Sequence, residues 1–306
     1  MPVYDLNGKV ALVTGGARGI GFETARQMHA RGASVAVVDL DADQAREAAE
    51  RIGERALGIG ADVTDAGAML AAVAQAVERF GGLDLAMANA GIAPEGATTR
   101  TMPPEEWEKV IDVNLLGVWN TVRAALPQVS ERNGQIVLVA SVAAFMNGMM
   151  LSPYAASKAA VEALGRPLRV ELAPFGASAT VAYFGWVDTE MVRQGLDREQ
   201  GGKRMQELLP KFFFKRIRVE EAGAAVVRGI EERAPRVSRR NGGATSPPCA
   251  ASSTPFSTGA SSAMPRSPAP CARPRQTPRQ GPRPKSAASL ARAGSRSTRS
   301  RCRWRG

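Results

Sequence analysis

Six short apolar runs, each followed by a stretch with helical spacing, constrain this chain more than any other feature. The runs are Val10–Thr14, Val35–Asp39, Ala56–Asp62, Leu83–Asn89, Gln135–Ser141 and Ala179–Phe184. They are continuous rather than alternating, as strands buried on both faces must be. Between them the spacing predicts helices over Ile20–Arg31, Asp43–Arg51, Ala66–Phe80, Glu105–Ala125 and Tyr154–Phe175, the last kinked at Gly165 and Pro167. A long segment, 188–218, follows the sixth run, and a final helix is expected over Glu220–Arg233. Repeated βα units with right-handed crossovers give an α/β fold, a single doubly wound parallel sheet with helices on both faces.

The formal charge of +11 is unevenly placed. Residues 1–235 hold all 29 acidic residues against 25 Lys and Arg, a net of −4, whereas residues 236–306 hold 15 Lys and Arg, no acid and ten of the 20 prolines. This sets a folded domain at 1–235 and an Arg-, Pro-, Ser- and Ala-rich tail at 236–306. The tail carries too little apolar surface to offset the entropy of ordering, so disorder is expected. No strand is visible after Pro235. The tail reads as a basic arm for nucleic acid or acidic membranes, as a solvated extension, or as the product of a reading-frame change near codon 236 in GC-rich DNA. The third reading is favoured. With only Phe256 and Trp304 as aromatics, the tail has little to stack on bases, and nucleic-acid binding is not expected.

Cys249, Cys271 and Cys302 all lie in the tail, so the body can build neither a disulfide framework nor a zinc cluster. That agrees with a reducing compartment, and the expected location is cytoplasmic. The stretch before Val10 is short and polar for a secretion signal. The most apolar run, Ile136–Met150, is shorter than a membrane span, and no membrane partner is expected.

Thr14-Gly15-Gly16-Ala17-Arg18-Gly19-Ile20-Gly21 joins the first strand to the first helix. Glycines there let the backbone turn tightly and approach a pyrophosphate, while N–H groups at the helix start face its charge. The spacing is Gly-x-x-x-Gly-x-Gly, and its place between strand and helix is what gives it meaning. Asp39 ends the second run. A carboxylate there accepts hydrogen bonds from ribose hydroxyls and repels a 2′-phosphate, which favours NAD over NADP. Arg18 argues the other way, but less directly. His29 is the sole histidine and reads as a surface or helix-packing residue, which excludes a Ser-His-Asp hydrolase.

Ser141 follows the fifth run, and Tyr154-Ala155-Ala156-Ser157-Lys158 opens the next helix, where residues four apart share a face. With the glycine loop, Asp62-Val63, Asn89-Ala90-Gly91 and Asn114 in the same order, the chain resembles the short-chain dehydrogenase/reductase family from residue 5 to about 233. The resemblance implies a Rossmann-like fold and an NAD(P)-dependent interconversion of secondary alcohol and ketone. It implies Tyr154 as acid/base, Ser141 as the group that orients the substrate oxygen, and Lys158 as a ligand of the nicotinamide ribose. Asn114 would hold a water that relays protons from Lys158. Gly15, Arg18, Gly19, Ile20 and Gly21 would meet the pyrophosphate, Asp39 the ribose, Asp62 and Val63 the adenine, and Asn89, Ala90 and Gly91 the cofactor ribose. A free phenol titrates near ~10, so a neighbouring ammonium and the cofactor's positive ring must favour the phenolate.

One departure stands out. Phe184 occupies the place of a usual proline in Phe184-Gly185-Trp186-Val187-Asp188-Thr189, while Val187 and Thr189 still match as carboxamide contacts. Asp62 could instead cap a helix, and Asn114 could be a core amide that bends its own. Met146, Met149, Met150 and Leu151 line either a substrate pocket or ordinary core. The apolar residues at 208–209 and 212–214 favour an apolar alcohol or ketone. A homodimer or homotetramer is expected where the C-terminus permits. The alternative to an enzyme, a non-catalytic NAD-binding regulatory module, has no need of Asn114, Ser141, Tyr154 and Lys158 together.

Overall fold

A computed structural model describes residues 3–146, 150–208 and 214–239. The strands are β1 (Val10–Thr14), β2 (Ser34–Asp39), β3 (Ala56–Gly60), β4 (Leu85–Ala88), β5 (Gln135–Val139), β6 (Ser178–Phe184) and β7 (Arg236–Arg239). The α-helices are α1 (Gly19–His29), α2 (Ala42–Ile52), α3 (Ala66–Phe80), α4 (Pro104–Ile111), α5 (Gly117–Glu131), α6 (Ser152–Leu172), α7 (Glu190–Val192), α8 (Gln200–Leu208) and α9 (Val219–Glu231). The strands form one sheet in the order β3-β2-β1-β4-β5-β6-β7, and every pair is parallel.

Burial explains the continuous apolar runs: every residue of β1, β4, β5 and β6 is buried. One face packs Met69 and Ala72 of α3, Val118 and Val122 of α5, and Val161 and Leu168 of α6. The other packs Ala25 and Met28 of α1, Ala48 and Ile52 of α2, and Val226 and Ile230 of α9. The chain runs outward in both directions from β1 and β4, and between their carboxyl ends the order reverses. In such sheets that reversal opens a crevice for a ligand.

Several sequence expectations are corrected. The strands expected to reach Asp62, Asn89 and Ser141 stop at Gly60, Ala88 and Val139, and the three polar residues leave the ladder for the crevice edge. The helix expected over Glu105–Ala125 is α4 and α5 joined by a π-helical turn, Asp112–Leu116. Pro167 does not interrupt α6. Gly165 serves packing instead, since a Cβ there would lie 2.2 Å from Val181 Cγ2 of β6.

The largest correction concerns the boundary at 235. A seventh strand follows it, with Val181↔Arg236 through Phe184↔Arg239 in register, and Val237 is 7% exposed. The strand taken as missing is present, so the frame-change reading loses that support. The rest of the tail, like Met149 and residues 209–213, lies outside the described residues. Ending the chain after Pro235 removes β7 and the buried Val237, and should cost about 2 kcal/mol or more relative to a chain ending after Arg239. Urea unfolding of the two truncations measures the difference; equal midpoints would show that β7 contributes nothing.

Candidate functional site

The crevice begins with a clamp. The Asn89 amide nitrogen donates to the carbonyls of Thr14 and Gly15, both at 2.9 Å. Thr14 Oγ1 donates to Met87 O and accepts from the backbone N–H groups of Asn89 and Ala90 at 3.1 and 3.2 Å. Sequence reading missed Thr14 because a buried strand threonine carries no chemical signal. Gly15 and Gly19 have φ of +59° and +58°, the left-handed region that glycine enters without strain. At Gly21 a Cβ would stand 2.4 Å from Gly15 O, so only glycine lets α1 start directly against the loop.

The start of α1 differs from its neighbours. Asp41 and Asp65 cap α2 and α3 by accepting first-turn N–H groups with their carboxylates. At α1 the N-cap is Arg18, whose side chain makes no capping bond. An anion is the acceptor this end of the helix calls for. Arg18 itself is exposed and Ile20 packs against the core. Asp39 stands beside the loop: Oδ2 accepts from Ala17 N at 3.1 Å and Oδ1 from Leu40 N at 2.9 Å. Asp62 caps no helix, since Asp65 does that; its Oδ1 accepts from Thr64 N at 2.8 Å in an exposed turn. Val63 is buried, and Asn120 Nδ2 donates to its carbonyl at 2.9 Å. His29 packs at the other end of α1, 3.0 Å from where Gly53 would carry a Cβ, as a helix-packing residue.

The reacting centre is assembled by α6 and the π turn. Asn114 lies in that turn, 0% exposed. Its Oδ1 accepts from Ile92 N at 2.8 Å, and its Nδ2 donates to Ile92 O at 2.9 Å and to Ser157 Oγ at 3.2 Å. Ser157 in turn donates to Tyr154 O at 2.8 Å. The core-amide expectation for Asn114 holds: it is a satisfied amide in a distorted helix, and it ties α6 to the loop after β4. Such π turns are frequent at functional sites. Ser157 was missed although it lies within the Tyr154–Lys158 motif, because its role depends on a residue 43 positions away.

Lys158 is 4% exposed, with Nζ donating to Val139 O at 2.9 Å and lying 5.7 Å from the Tyr154 ring centre. A Cβ on Gly91 would sit 3.4 Å from that Nζ and 3.2 Å from Asn114 Oδ1, so the glycine keeps the space above the ammonium open. Ser141 Oγ donates to Phe184 O at 3.2 Å and accepts from Ala143 N at 3.1 Å. It also hydrogen-bonds the Tyr154 hydroxyl. Burial pushes the Lys158 ammonium down to about 8. It pushes the Tyr154 phenol up, with the Ser141 bond acting the other way. In the protein alone, desolvation thus outweighs the Ser141 bond.

Phe184, in place of proline, remains within β6, buried and paired with Arg239, so the loop begins only at Gly185. Val187 is buried and bridges Ile217. Thr189 Oγ1 accepts from Val192 N at 3.4 Å, and its Cγ2 lies 3.4 Å from where Gly19 would carry a Cβ. The segment after β6 therefore reaches the start of α1. An uncapped helix start, a left-handed Gly19 under Thr189 and the open space at Gly91 beside Lys158 fit an extended dinucleotide. Among the described residues no helix is long and apolar enough to cross a membrane.

The sequence pattern of the family described as short chain dehydrogenase matches residues 9–200. The chain is 36% identical over 205 residues to a (-)-trans-carveol dehydrogenase of Rhodococcus erythropolis, covering 61% of this chain and 74% of that one. It is 35% identical over 202 residues to a trans-4-hydroxycyclohexanecarboxylate dehydrogenase of Sinomonas cyclohexanicum, covering 63% and 77%. A 3-ketoacyl-(acyl-carrier-protein) reductase from Brucella melitensis, solved in complex with NADH, superposes with a TM-score of 0.67 at 27% identity, covering 76% of this chain and 97% of that one.

Lys158 gives a stability signature. Its folded pKa near 8 lies below the ordinary 10.5, so between those values the unfolded chain binds more protons and stability rises with pH. The penalty of the buried charge is full below pH 8 and is relieved by about 10.5. From pH 8 to 10 the melting temperature of the parent should therefore rise relative to that of Lys158→Met. Parallel profiles would show that Lys158 is not buried as a charge.

Proposed function

The chain belongs to the short-chain dehydrogenase family and is an oxidoreductase that interconverts a secondary alcohol and a ketone with NAD(P); we propose that Tyr154 is its acid/base and NAD its preferred cofactor. The observation that carries this reading is the convergence of Ser141, Tyr154, Lys158 and Asn114 at the carboxyl edge of the sheet, beside the glycine loop. We assign Asn89–Gly91, Asp62–Val63, Val187 and Thr189 to the same cofactor groove. The names of two relatives are those of dehydrogenases of cyclic alcohols, one of them carrying a carboxylate, which supports a small ring-bearing alcohol as substrate.

In the oxidising direction Tyr154 takes the proton of the substrate hydroxyl, and in the reducing direction it returns one to the carbonyl oxygen. Ser141 holds that oxygen within reach of the phenol once its hydroxyl turns from Phe184 O. When bound, the nicotinamide supplies or accepts the hydride. Lys158, still charged at neutral pH with a pKa near 8, favours the phenolate and is free to bond a ribose hydroxyl through its remaining N–H groups. Asn114 spends both amide hydrogens on protein partners, which leaves one lone pair on Oδ1 for a water linking Lys158 outward. Asp39 offers the free lone pairs of a carboxylate to ribose hydroxyls, and its charge opposes a 2′-phosphate.

Assays of cyclic and open-chain alcohols with NAD and NADP, read by absorbance of the reduced cofactor, test both assignments. Tyr154→Phe should lower kcat by roughly 10²–10⁴-fold with the fold intact; unchanged turnover would overturn the acid/base role. Asp39→Ala should shift the NADP-to-NAD ratio of kcat/KM upward by about tenfold or more, since a like-charge clash is removed. A ratio that stays put would overturn the ribose assignment.

A further inference from the structure

Resting on the NAD(P) reading of the crevice, we propose that Asn120 is a positioning residue for the cofactor's base. It holds the turn 62–65 so that the Asp62 carboxylate accepts from an exocyclic amino group, and so sets a preference for adenine over a base with a carbonyl at that place. Asp62 lies just past β3, at one edge of the sheet, whereas Lys158 meets β5, with β2, β1 and β4 between. The Asp62 side chain is folded into its turn: Oδ1 accepts from Thr64 N at 2.8 Å, and the Asp62 carbonyl accepts from Asp65 N at 3.1 Å. Asn120 meets the same two peptide units from the other side. Its Nδ2 donates to Val63 O at 2.9 Å and to Thr64 O at 3.1 Å. Val63 O shares a peptide plane with Thr64 N, and Thr64 O shares one with Asp65 N. Each plane is therefore held at its N–H by Asp62 and at its carbonyl by Asn120.

The reach of Asn120 is set by the helix that carries it. Gly117 opens α5 straight after the π turn, and a Cβ there would stand 2.6 Å from Val63 Cγ2. The glycine lets the helix lie against Val63, and Asn120, three residues on, shares that face. Val63 is buried at this contact, while Asp62 is exposed. Two carbonyls side by side call for two N–H groups on one atom, which an amide nitrogen supplies and neither a methyl nor a carboxylate can. A turn bonded on one side only is free to rock its peptide planes; bonded on both, it presents the Asp62 carboxylate in one direction. An ionised carboxylate only accepts hydrogen bonds. Adenine offers it the hydrogens of its amino group, whereas hypoxanthine has a carbonyl oxygen in the same place, and the two would meet lone pair to lone pair.

Calorimetric titration with NAD and with nicotinamide hypoxanthine dinucleotide reads the base preference without turnover. The parent should bind NAD the more tightly by about tenfold or more, the worth of a hydrogen bond to a charged group. Asn120→Ala and Asn120→Asp should each bring the ratio of the two dissociation constants close to one, with NAD carrying the change. Asn120→Asp keeps the shape of the side chain and removes its N–H groups, so a parent-like ratio in that variant overturns the proposal. A fall in melting temperature with the ratio intact does so too, since Asn120 would then serve stability alone. In an Asp62→Ala background, adding Asn120→Ala should leave the ratio where it is, because Asn120 acts through Asp62; a second, additive loss also overturns the proposal. A parent that binds both dinucleotides equally overturns the proposal and leaves the NAD(P) reading standing. A parent that binds neither strikes that reading, and the proposal falls with it.

Discussion

The bonds from the Asn89 side chain to the carbonyls of Thr14 and Gly15 tie the end of β1 to the end of β4, at the place where the strand order reverses. A reversal leaves the two strand ends with no crossover helix above them, and the loops there must be held by something other than the ladder. Thr14 Oγ1 supplies the second tie, between Met87 O and the N–H groups of Asn89 and Ala90. The glycine loop, the uncapped start of α1 and Asp39 all take their positions from this junction. Asp39 closes it from the other side through Ala17 N.

A second junction holds the reacting groups. Asn114 links Ile92, in the loop after β4, to Ser157 on α6, and Ser157 bonds the Tyr154 carbonyl. Burying Asn114 completely is tolerable because both of its amide hydrogens and its oxygen find partners; an unpaired amide there would cost a few kcal/mol. The π turn is what aims it. Burial at the same place acts on the two ionisable groups in opposite senses, lowering Lys158 and raising Tyr154, since desolvation disfavours whichever form is charged. The two groups, nearly matched in their ordinary values, are thereby driven apart, with the lysine down to about 8 and the phenol raised above its ordinary 10.

The alternation of buried strands and helices was legible because a parallel sheet covered on both faces leaves a periodicity that no other element copies. Val10–Thr14 and Ala66–Phe80 were read to the residue. The errors fell where tertiary contacts override local pattern. The π turn has no sequence period of its own. Gly165 looked like a helix breaker, but α6 needs it to approach Val181. β7 was overlooked because Arg236-Val237-Ser238-Arg239 reads as the start of a basic polar tail, and only the edge of β6 makes it a strand.

What the sequence determined alone was the inventory and order of chemical groups: a glycine loop after a strand, an acid at the next strand's end, and Ser141, Tyr154 and Lys158 at spacings that a strand-to-helix turn can gather. These follow from local chemistry, since residues four apart share a helix face and glycine alone tolerates the left-handed turns. The tertiary structure decided which groups meet. Asn114 with Ser157, Thr14 with Asn89, Gly19 with Thr189, and Trp186 with Phe214 are pairs separated by many residues, and only the closing of the sheet and its loops brings them within contact. It also decided the protonation chemistry, because the burial that moves Lys158 and Tyr154 belongs to the packed fold and to no segment of the chain.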